Sequence, residues 1–460
     1  MLEWINRYVL GAAVPLCLLG VGVYFLVTLR FFPLTRLGAI LGYFARGEKR
    51  EGTSPLRALC LALAGTLGVG NIVGVSSAIW FGGFGAVFWM WVSALAAMIL
   101  KYAEILLAMR HRRQAADGYH GGAPYYISDI LREHGLPKAG RVLAVIFAVL
   151  CLADALFMGC VIQVNAVSSS LLGVLSVPPI VSGAVMAGLC VLVLAKGGGV
   201  GAVSEKLVPL MSIAYVVLSL WCIFLRRGEL PFVLGKILAD AFRVESATGG
   251  VLGFLLSRAL RFGSMRGLLS NEAGCGTSPI AHASSNAQSP VEQGFFGLVE
   301  VFVDTIILCS MTAFVVLLNY DAASAFGENP MMMTIRAYSA PFSGGVAVAV
   351  EMFLAIAVVC FGFATLICWG HYGVESLSYL SCNNTARRGF LLTYAVFALF
   401  GAMSAPSGIW TAADLAIGAM TLINVAILFL GRREVSRETF LYFAFCEKRP
   451  KTKHDFPKSS

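Results

Sequence analysis

Two glycine-rich segments place polar residues in the middle of hydrophobic stretches. The first runs from Gly65 to Gly74 and contains Gly68-Val69-Gly70-Asn71, and the second runs from Ser270 to Pro279 and contains Gly274-Cys275-Gly276-Thr277. Each glycine costs the interior of a helix about 1 kcal/mol relative to alanine, and the proline removes a further backbone donor. Both segments are therefore predicted to interrupt a helix.

Interrupted helices can bind an anion and a cation side by side. The N-terminus of a half-helix offers free N–H groups and the positive end of a dipole to a carboxylate. Freed carbonyl groups are oxygen ligands of the kind that a hard cation such as Na⁺ prefers. If the two breaks meet, we expect the amides around Gly70 and from Gly274 to Gly276 to bind a substrate carboxylate. Close helix packing through small residues is the alternative explanation for the glycines.

The amino-acid composition indicates whether water or lipid surrounds these segments. Hydrophobic residues make up 58% of the 460 residues, charged residues 13%, and the mean hydropathy is +0.80. A soluble domain carries roughly a quarter charged residues because its surface must be hydrated. The chain is therefore expected to lie in a lipid bilayer. Twelve single cysteines and six histidines show no metal-ligand spacing, so no metal enzyme is indicated.

Continuous apolar runs of membrane-spanning length indicate an all-α polytopic protein. The sequence predicts about eleven spans, at residues 8–29, 57–80, 86–109, 141–172, 178–195, 207–225, 250–283, 293–318, 347–379, 389–406 and 409–431. The two glycine-rich segments fall in the second and seventh spans. Backbone that is not helical is tolerated at membrane depth only where it lines a cavity or is buried in protein.

The distribution of basic residues predicts the orientation in the membrane. The formal net charge is +9, but the basic residues cluster in connections that fall on one side if eleven spans alternate. They include Arg36, Arg46, Arg110, Arg112, Arg113, Lys196, Lys206, Arg387, Arg388, Arg432, Arg433 and Arg437. The positive-inside rule then places the N-terminus outside and the C-terminus in the cytoplasm of a cell bounded by the plasma membrane. The charge indicates membrane topology, and no nucleic-acid partner is expected.

The spacing of the breaks predicts an inverted repeat. Spans two and seven are five spans apart, so they begin two five-helix repeats, at about residues 57–225 and 250–431. A repeat with an odd number of helices makes the second copy run in the opposite direction, which is the plan of many secondary transporters. An extra helix at 8–29 precedes the repeats, and a cytoplasmic tail at 432–460 follows them in one single domain. These residues favour a cation-coupled transporter of a small anionic or zwitterionic solute.

Over about residues 55–430 the sequence resembles the alanine/glycine:cation symporter family, also called the sodium:alanine symporters. The matching motifs are Gly65 to Gly74, Gly82 to Trp91, Lys101 to Glu104, Asp117-Gly118, Gly121-Gly122, Tyr125 to Ile127, Gln163 to Asn165, Ser204 to Lys206, Arg266-Gly267, Ser270 to Gly274, Gln293-Gly294, Asp304-Thr305, Trp369 and Tyr372-Gly373. That family belongs to the amino acid–polyamine–cation superfamily, which has the LeuT-type fold of five plus five inverted helices.

The resemblance implies sodium-coupled symport of alanine, glycine or a similarly small neutral amino acid, without an organic cofactor. The lipid bilayer, the amino acid and Na⁺ are then the expected partners. Carried over residue by residue, it places Gly70 and Asn71 at the substrate, with Gln163 and Trp369 as walls of its pocket. By analogy with LeuT-type symporters, Na⁺ would bind the carbonyls of Ala64 and Leu67 and the hydroxyl of Thr365.

Three departures from the family pattern fall near this inferred site. Cys160 replaces the usual Asn, Cys275 replaces Met, and Ala364 replaces the Ser of a Ser-Thr pair. The missing hydroxyl at Ala364 predicts weaker Na⁺ binding, because a hard cation requires several oxygen ligands. A proton-coupled transporter of another small amino acid on the same fold is the alternative, with Glu272 or another intramembrane acid carrying the charge.

The other ionisable residues at membrane depth are also functional candidates. The acids Asp154, Glu104, Asp304, Glu351 and Asp414 are expected to line vestibules or to lock helices together. Lys101 and Glu104 are spaced as an i, i+3 pair, and Glu272 is expected to have a structural role. A channel would need a filter built from repeated elements, and an enzyme would need clustered catalytic groups; the sequence shows neither pattern.

Overall fold

The computed structural model of the protein describes residues 11–46, 53–115, 118–196, 199–243, 258–381, 383–404 and 407–448. In the first half its helices are α1 (Gly11–Thr28), α2 (Phe32–Thr35), α3 (Leu37–Arg46), α4 (Pro55–Thr66), α5 (Val75–Gly82), α6 (Gly85–Arg110), α7 (Ala123–Glu133), α8 (Pro137–Leu156), α9 (Gln163–Leu175), α10 (Pro179–Ala195) and α11 (Gly199–Leu225).

The second half continues with helices of very unequal length. They are α12 (Leu230–Ala241), α13 (Arg258–Asn271), α14 (Ser278–Ala283), α15 (Pro290–Val301), α16 (Ser310–Leu318), α17 (Tyr320–Ser324), α18 (Pro330–Ser339), α19 (Gly344–Leu380), α20 (Asn384–Met403), α21 (Ser407–Leu430) and α22 (Arg432–Lys448). A short 3₁₀ helix covers Arg227–Glu229, and π-helical turns cover Gly70–Gly74, Phe157–Ile162 and Phe302–Cys309.

Six helices in the described residues are long and apolar enough to cross a membrane, and two of them include a π turn. They are Gly85–Arg110, Pro137–Leu175, Gly199–Leu225, Pro290–Leu318, Gly344–Leu380 and Thr411–Leu430, and a seventh candidate is the bent pair Pro55–Thr66 and Gly70–Gly82. Shorter apolar helices cover Ala13–Thr28 and Pro179–Ala195. The multi-helix membrane architecture is thus confirmed, whereas the count of eleven spans and the role of the first helix stay predictions.

The break in span two has clear local causes. The Ser54 hydroxyl accepts the Arg57 N–H at 3.1 Å and caps α4, whose first residue is Pro55. The helix ends at Thr66, and the axis turns by 52° before it continues from Gly70 to Gly82. A Cβ on Gly68 would lie 2.7 Å from the Thr365 hydroxyl oxygen, so a larger residue could not make this close approach.

The break in span seven is made by left-handed backbone. Three of the six residues between α13 and α14 have positive φ: Glu272 at 51°, Gly274 at 82° and Gly276 at 79°. This region of φ favours glycine, because a Cβ crowds the following carbonyl oxygen. The chain therefore cannot continue as a helix through this segment. The first part of the predicted span, residues 250–257, lies outside the described residues, as do residues 8–10 of span one.

Two features outside the spans add to the sequence prediction. The all-α fold is interrupted by one antiparallel hairpin, in which β1 (Arg113–Ala115) pairs with β2 (Gly118–His120). The tail predicted from residue 432 onward forms helix α22 as far as Lys448, and residues 449–460 lie outside the described part. Tyr102 in α6 and Thr439 in α22 share a hydrogen bond of 2.7 Å, so this helix packs against the transmembrane core.

The outer surface carries large apolar side chains, as expected for contact with lipid. Leu210, Leu392 and Phe232 are 71%, 69% and 68% exposed. A soluble protein rarely leaves such side chains in contiguous patches. Several charged residues lie in the core instead: Lys101, Glu104 and Asp304 are fully buried. The core that positions the candidate site is thus unusually rich in ionisable groups.

Candidate functional site

Each π-helical turn lies beside a polar residue of the candidate site. The turn Gly70–Gly74 contains Asn71, the turn Phe157–Ile162 ends immediately before Gln163, and the turn Phe302–Cys309 contains Asp304. Such turns shift the helix register by one residue and are frequent at functional sites. The sequence predicted the first irregularity through its glycines and did not predict the other two.

Gln163 binds the backbone of the span-two break. Its Oε1 accepts the Val69 N–H at 3.2 Å, and its Nε2 donates to the Met158 carbonyl at 3.3 Å. A Cβ on Gly68 would lie 3.1 Å from the same Oε1. The structure therefore places the predicted pocket residue directly against the interrupted helix, where both ends of its amide are occupied.

Thr365 reaches the last turn of α4. Its Oγ1 donates to the Ala64 carbonyl at 2.9 Å, and both residues are buried. Leu67, the third expected cation ligand, directly follows the last residue of α4, and its backbone leaves the helical conformation with ψ 63°. The hydroxyl and carbonyl oxygens are thus adjacent, and a cation between them would require the hydroxyl to turn its lone pairs toward it.

Asp304 joins the two breaks. The Asn71 Nδ2 donates to Asp304 Oδ1 at 2.6 Å, and the Ser270 hydroxyl donates to Oδ2 at 3.1 Å. Thr305 adds a bond to Oδ2 at 2.8 Å, while Asn71 Oδ1 has no hydrogen-bond partner among the described residues. The cluster brings together carboxylate, hydroxyl and amide oxygens, which are suitable ligands for a hard cation.

The sequence identified Asp304 only as a generic intramembrane acid. Its place in an Asp-Thr motif of the family match was the one signal in the sequence that could have singled it out. Its partner Asn71 lies 233 residues away, and no local pattern indicates that pairing.

Trp369 is fixed against the span-seven break. Its indole N–H donates to Glu272 Oε1 at 3.0 Å, and Glu272 Oε2 accepts the Thr277 hydroxyl at 2.7 Å. A Cβ on Gly159 would lie 2.2 Å from the Trp369 Cβ, so the ring lies directly on the backbone of the second π turn. Glu272 therefore connects α19 to the span-seven break, with Trp369 and Thr277 as its hydrogen-bond partners.

The amide of Gly276 is bound to a carboxylate of the protein itself. It donates to Glu104 Oε1 at 2.9 Å, and the Gly274 carbonyl accepts the Asn424 Nδ2 at 2.8 Å. From the sequence we expect these amides to bind a substrate carboxylate, whereas in this structure Glu104 binds the Gly276 amide. Glu104 and Asn424, which occupy the break in this structure, were not assigned to it.

Lys101 pairs with a different acid from the one expected. Its Nζ lies 3.3 Å from Glu300 Oε1, and both side chains are completely buried. His282 Nε2 is 3.0 Å from Glu300 Oε2, and its Nδ1 is 2.7 Å from the Gln293 amide. The i, i+3 spacing in the sequence suggested Glu104 as the partner of Lys101. Lys101 instead pairs with Glu300 and so connects α6 to α15.

Gly70 faces open space. It is exposed, and a Cβ built on it would meet no atom within 4 Å. Asn71, the next residue, is only 1% exposed. The break in span two thus presents backbone to an accessible region on one side and polar side chains to the protein on the other.

A cavity outside this region lies between α1, α13 and α21. Its lining is mostly apolar, with Asp414 and Thr421 as polar members, and comprises Val14, Pro15, Leu18, Met265, Leu268, Cys275, Asp414, Ile417, Gly418 and Thr421. None of the nine predicted site residues lines this cavity. It touches the span-seven break through Cys275 alone.

Solved transporters share this fold. The structure of MhsT in complex with L-phenylalanine matches with a TM-score of 0.52 and 14% identity, over 83% of this chain and 90% of that chain. A manganese transporter of Eremococcus coleocola matches with a TM-score of 0.52 and 15% identity, over 82% of this chain and 78% of that chain. The LeuT-type fold expected from the sequence is thus supported by structural neighbours.

Sequence relatives extend along nearly the whole chain. The transporter YflA of Bacillus subtilis (strain 168) is 36% identical over 94% of this chain and 91% of its own length. The sodium/alanine symporter AgcS of Methanococcus maripaludis is 31% identical over 95% of this chain and 96% of its own length. The model of the sodium:alanine symporter family matches residues 1–456. This chain, a multi-pass membrane carrier and not an enzyme, therefore belongs to the sodium:alanine symporter family.

Proposed function

We propose that the protein couples the entry of Na⁺ to the uptake of a small neutral amino acid such as alanine or glycine. The observation that supports this most directly is the bridge between the two breaks, in which Asp304 binds both Asn71 and Ser270. A side chain that holds both interrupted helices can transmit binding at one of them to the other. The name of the relative AgcS, a sodium/alanine symporter, agrees with this proposal.

The proposed substrate site uses Gly70, Asn71, Gln163, Gly274, Gly276 and Trp369. Gly70 supplies open space beside the broken helix, and the buried Trp369 ring limits the size of the side chain. Binding of the substrate carboxylate at Gly276 requires that Glu104 release this amide.

The proposed cation site uses the carbonyls of Ala64 and Leu67 and the hydroxyl of Thr365. The close contact of Thr365 with Ala64 supports it, because two of the three oxygen ligands are already adjacent. The oxygens around Asp304 form a second candidate for a hard cation. Ala364 contributes no hydroxyl, so we expect weak Na⁺ binding at the first site.

The proposed topology keeps the two inverted repeats, at residues 57–225 and 250–431, within a single domain. They follow the extra helix at 8–29 and precede the tail from residue 432. Helical segments occur in all eleven predicted regions as far as these are described, which supports the count. The basic connections place the N-terminus outside and the C-terminus in the cytoplasm, across the plasma membrane.

A proton-coupled carrier of another small amino acid is the second candidate. It is favoured by the absence of a hydroxyl at Ala364 and by several fully buried acids in the core. In that case the driving ion would bind a carboxylate rather than a set of neutral oxygens.

Counterflow in proteoliposomes distinguishes these candidates. We expect labelled alanine or glycine to exchange with internal unlabelled amino acid, and an inward Na⁺ gradient to drive net uptake. The same vesicles with choline in place of Na⁺ are the control. Uptake driven equally by a pH gradient without Na⁺ would support the second candidate, and no exchange of any small neutral amino acid would contradict both.

A further inference from the structure

Asp154 is a buried carboxylate for which the described residues provide no hydrogen-bond partner. It lies in α8 and is 0% exposed, and neither of its carboxylate oxygens has a hydrogen-bond partner among the described residues. The buried acids Glu300 and Asp304 differ in this respect, since Ser278 donates to Glu300 and Asn71 donates to Asp304. An ionised carboxylate in such a place is strongly disfavoured, because burial removes its hydration and nothing replaces it.

The surroundings of Asp154 add negative charge rather than positive charge. The charged groups whose fields reach it are Glu272, in the span-seven break, and Asp414 on α21. On its own helix the nearest titratable group is the thiol of Cys151, one turn earlier. The helices α7 and α19, which also pack against α8, contribute no charged group that acts on it among the described residues. Two acidic neighbours further disfavour ionisation of Asp154.

A metal ion does not account for this carboxylate. Na⁺ requires several oxygen ligands at short range. No group of three or more His, Cys, Asp or Glu side chains in the described residues is arranged to hold a metal ion. A proton is the one cation that a single carboxylate can bind without further ligands.

Two further acids relate Asp154 electrostatically to a cavity and to the span-seven break. Asp414 lines the cavity between α1, α13 and α21, and it interacts electrostatically with Asp154. Asp154 in turn interacts with Glu272, which holds the Trp369 indole. Protonation of Asp154 is therefore connected through charge to the side chain that we propose as a wall of the substrate pocket.

We propose that Asp154 is a proton-binding site of the transport cycle: it holds a proton in this conformation and releases it when α8 is hydrated in another. The proposal rests on the proposed function. Binding forms the O–H bond of the carboxylic acid, and release returns the proton to water and leaves the carboxylate. Transport then depends on pH even when Na⁺ supplies the driving force.

Infrared spectroscopy tests the protonation state directly. We expect the carbonyl stretch of a protonated carboxylic acid in the wild-type protein at neutral pH, and its loss in Asp154→Asn. Asp321→Asn is the matched control, because Asp321 is an exposed acid far along the chain from these residues. An identical carboxylic-acid band in wild type and Asp154→Asn would overturn the proposal.

A pH profile of transport tests whether the proton takes part in the cycle. Na⁺-driven uptake by Asp154→Asn should lose the pH dependence of the wild type, whereas Asp321→Asn should keep it. An unchanged profile in Asp154→Asn would show a permanently protonated acid and overturn the proposal. If Asp154→Asn does not fold, Asp154→Glu is the second variant, because it moves the carboxyl group by one methylene. This variant should shift the midpoint of the pH profile, and an unshifted midpoint would overturn the proposal.

The two proposals fail in different ways. Wild-type vesicles that exchange no small neutral amino acid contradict the proposed function, whatever the infrared band shows. Vesicles that exchange alanine normally, with equal pH profiles for wild type and Asp154→Asn, contradict only the proton site.

Discussion

The indole N–H of Trp369 donates to the carboxylate of Glu272 across 3.0 Å, and this bond joins α19 to the break in span seven. Glu272 holds the bond from a left-handed backbone position, at φ 51°. A residue that is not glycine occupies this region only when its surroundings stabilise it. Any movement at the break therefore moves the ring that we propose as a pocket wall.

The first prediction concerns size selection by this ring. Trp369→Ala should admit amino acids larger than alanine, whereas Trp369→Phe keeps an apolar ring and should keep the wild-type preference. One methylene in an apolar pocket is worth about 1–3 kcal/mol, so the change should be graded. Competition by a series of amino acids measures the preference. The same ranking in wild type and Trp369→Ala would exclude a wall role.

The second prediction concerns Na⁺. Thr365→Ala should abolish Na⁺ stimulation of uptake, and Thr365→Ser, which keeps the hydroxyl beside the Ala64 carbonyl, should retain it. Ala364→Ser should lower the half-saturating Na⁺ concentration, because it adds an oxygen ligand. Initial rates of uptake at increasing Na⁺ concentrations provide the measurement. Full Na⁺ stimulation in Thr365→Ala would place the cation elsewhere, with the oxygens around Asp304 as the next candidate.

The third prediction separates two kinds of glycine. Gly70→Val should fold normally, because its side chain enters open space, but should block transport if substrate occupies that space. Gly276→Ala should destabilise the fold, because left-handed backbone costs alanine about 1–2 kcal/mol. Its Cβ would also lie 2.8 Å from the Phe147 ring. Thermal unfolding in detergent and counterflow together distinguish the variants. Normal transport by Gly70→Val would remove this position from the site.

The fourth prediction concerns the buried ion pair of Lys101. Lys101→Met leaves Glu300 buried with His282 and Ser278 only, and loss of one partner of such a pair costs about 3–5 kcal/mol. The double variant Lys101→Met, Glu300→Gln removes both charges and should recover part of this stability. Thermal unfolding of the purified variants measures the difference. Equal stability of the single and double variants would show that the pair is not coupled.

The fifth prediction concerns pH at the end of α6, outside the predicted spans. His111 lies 3.2 Å from both Asp129 of α7 and Glu434 of α22. Burial alone would lower its pKa, but the hydrogen bonds and charges of the two acids outweigh burial and raise the pKa of His111 to about 9. Its contribution to the docking of α22 is therefore complete below the ordinary histidine pKa of about 6.5 and is lost as pH rises through the raised value.

The acids of this cluster respond in the opposite direction. Burial by itself would raise the pKa of Glu434, but the hydrogen bond and charge of His111 hold it below its usual value, so its contribution is lost as pH falls. Docking of α22 should thus weaken on both sides of neutral pH. Hydrogen exchange of α22 amides measures it. His111→Gln is expected to remove the alkaline change and to weaken the acidic change, because His111 is the hydrogen-bond partner of Glu434. An alkaline change that persists in His111→Gln would assign it to another group.

Much of the architecture followed from local sequence. Runs of apolar residues predicted the helices because a bilayer requires backbone hydrogen bonds to be satisfied within each helix. Glycine pairs and Pro279 predicted both breaks, since these residues remove helical stability wherever they stand. The π turns at Phe157–Ile162 and Phe302–Cys309 carry no comparable signal, because helix-forming residues continue through both.

The sequence by itself determined that the chain lies in a membrane, where its helices break and which family it belongs to, because composition and local backbone preference are properties of short segments. Only the tertiary structure decided which polar groups meet. Glu104 binds the amide of Gly276, 172 residues away, and Lys101 binds Glu300 rather than its helical neighbour. Successive residues of an α-helix point about 100° apart, so a partner depends on how whole helices are rotated and packed. For the same reason, no spacing in the sequence could predict that Asp154 would have no hydrogen-bond partner in the described part of the chain.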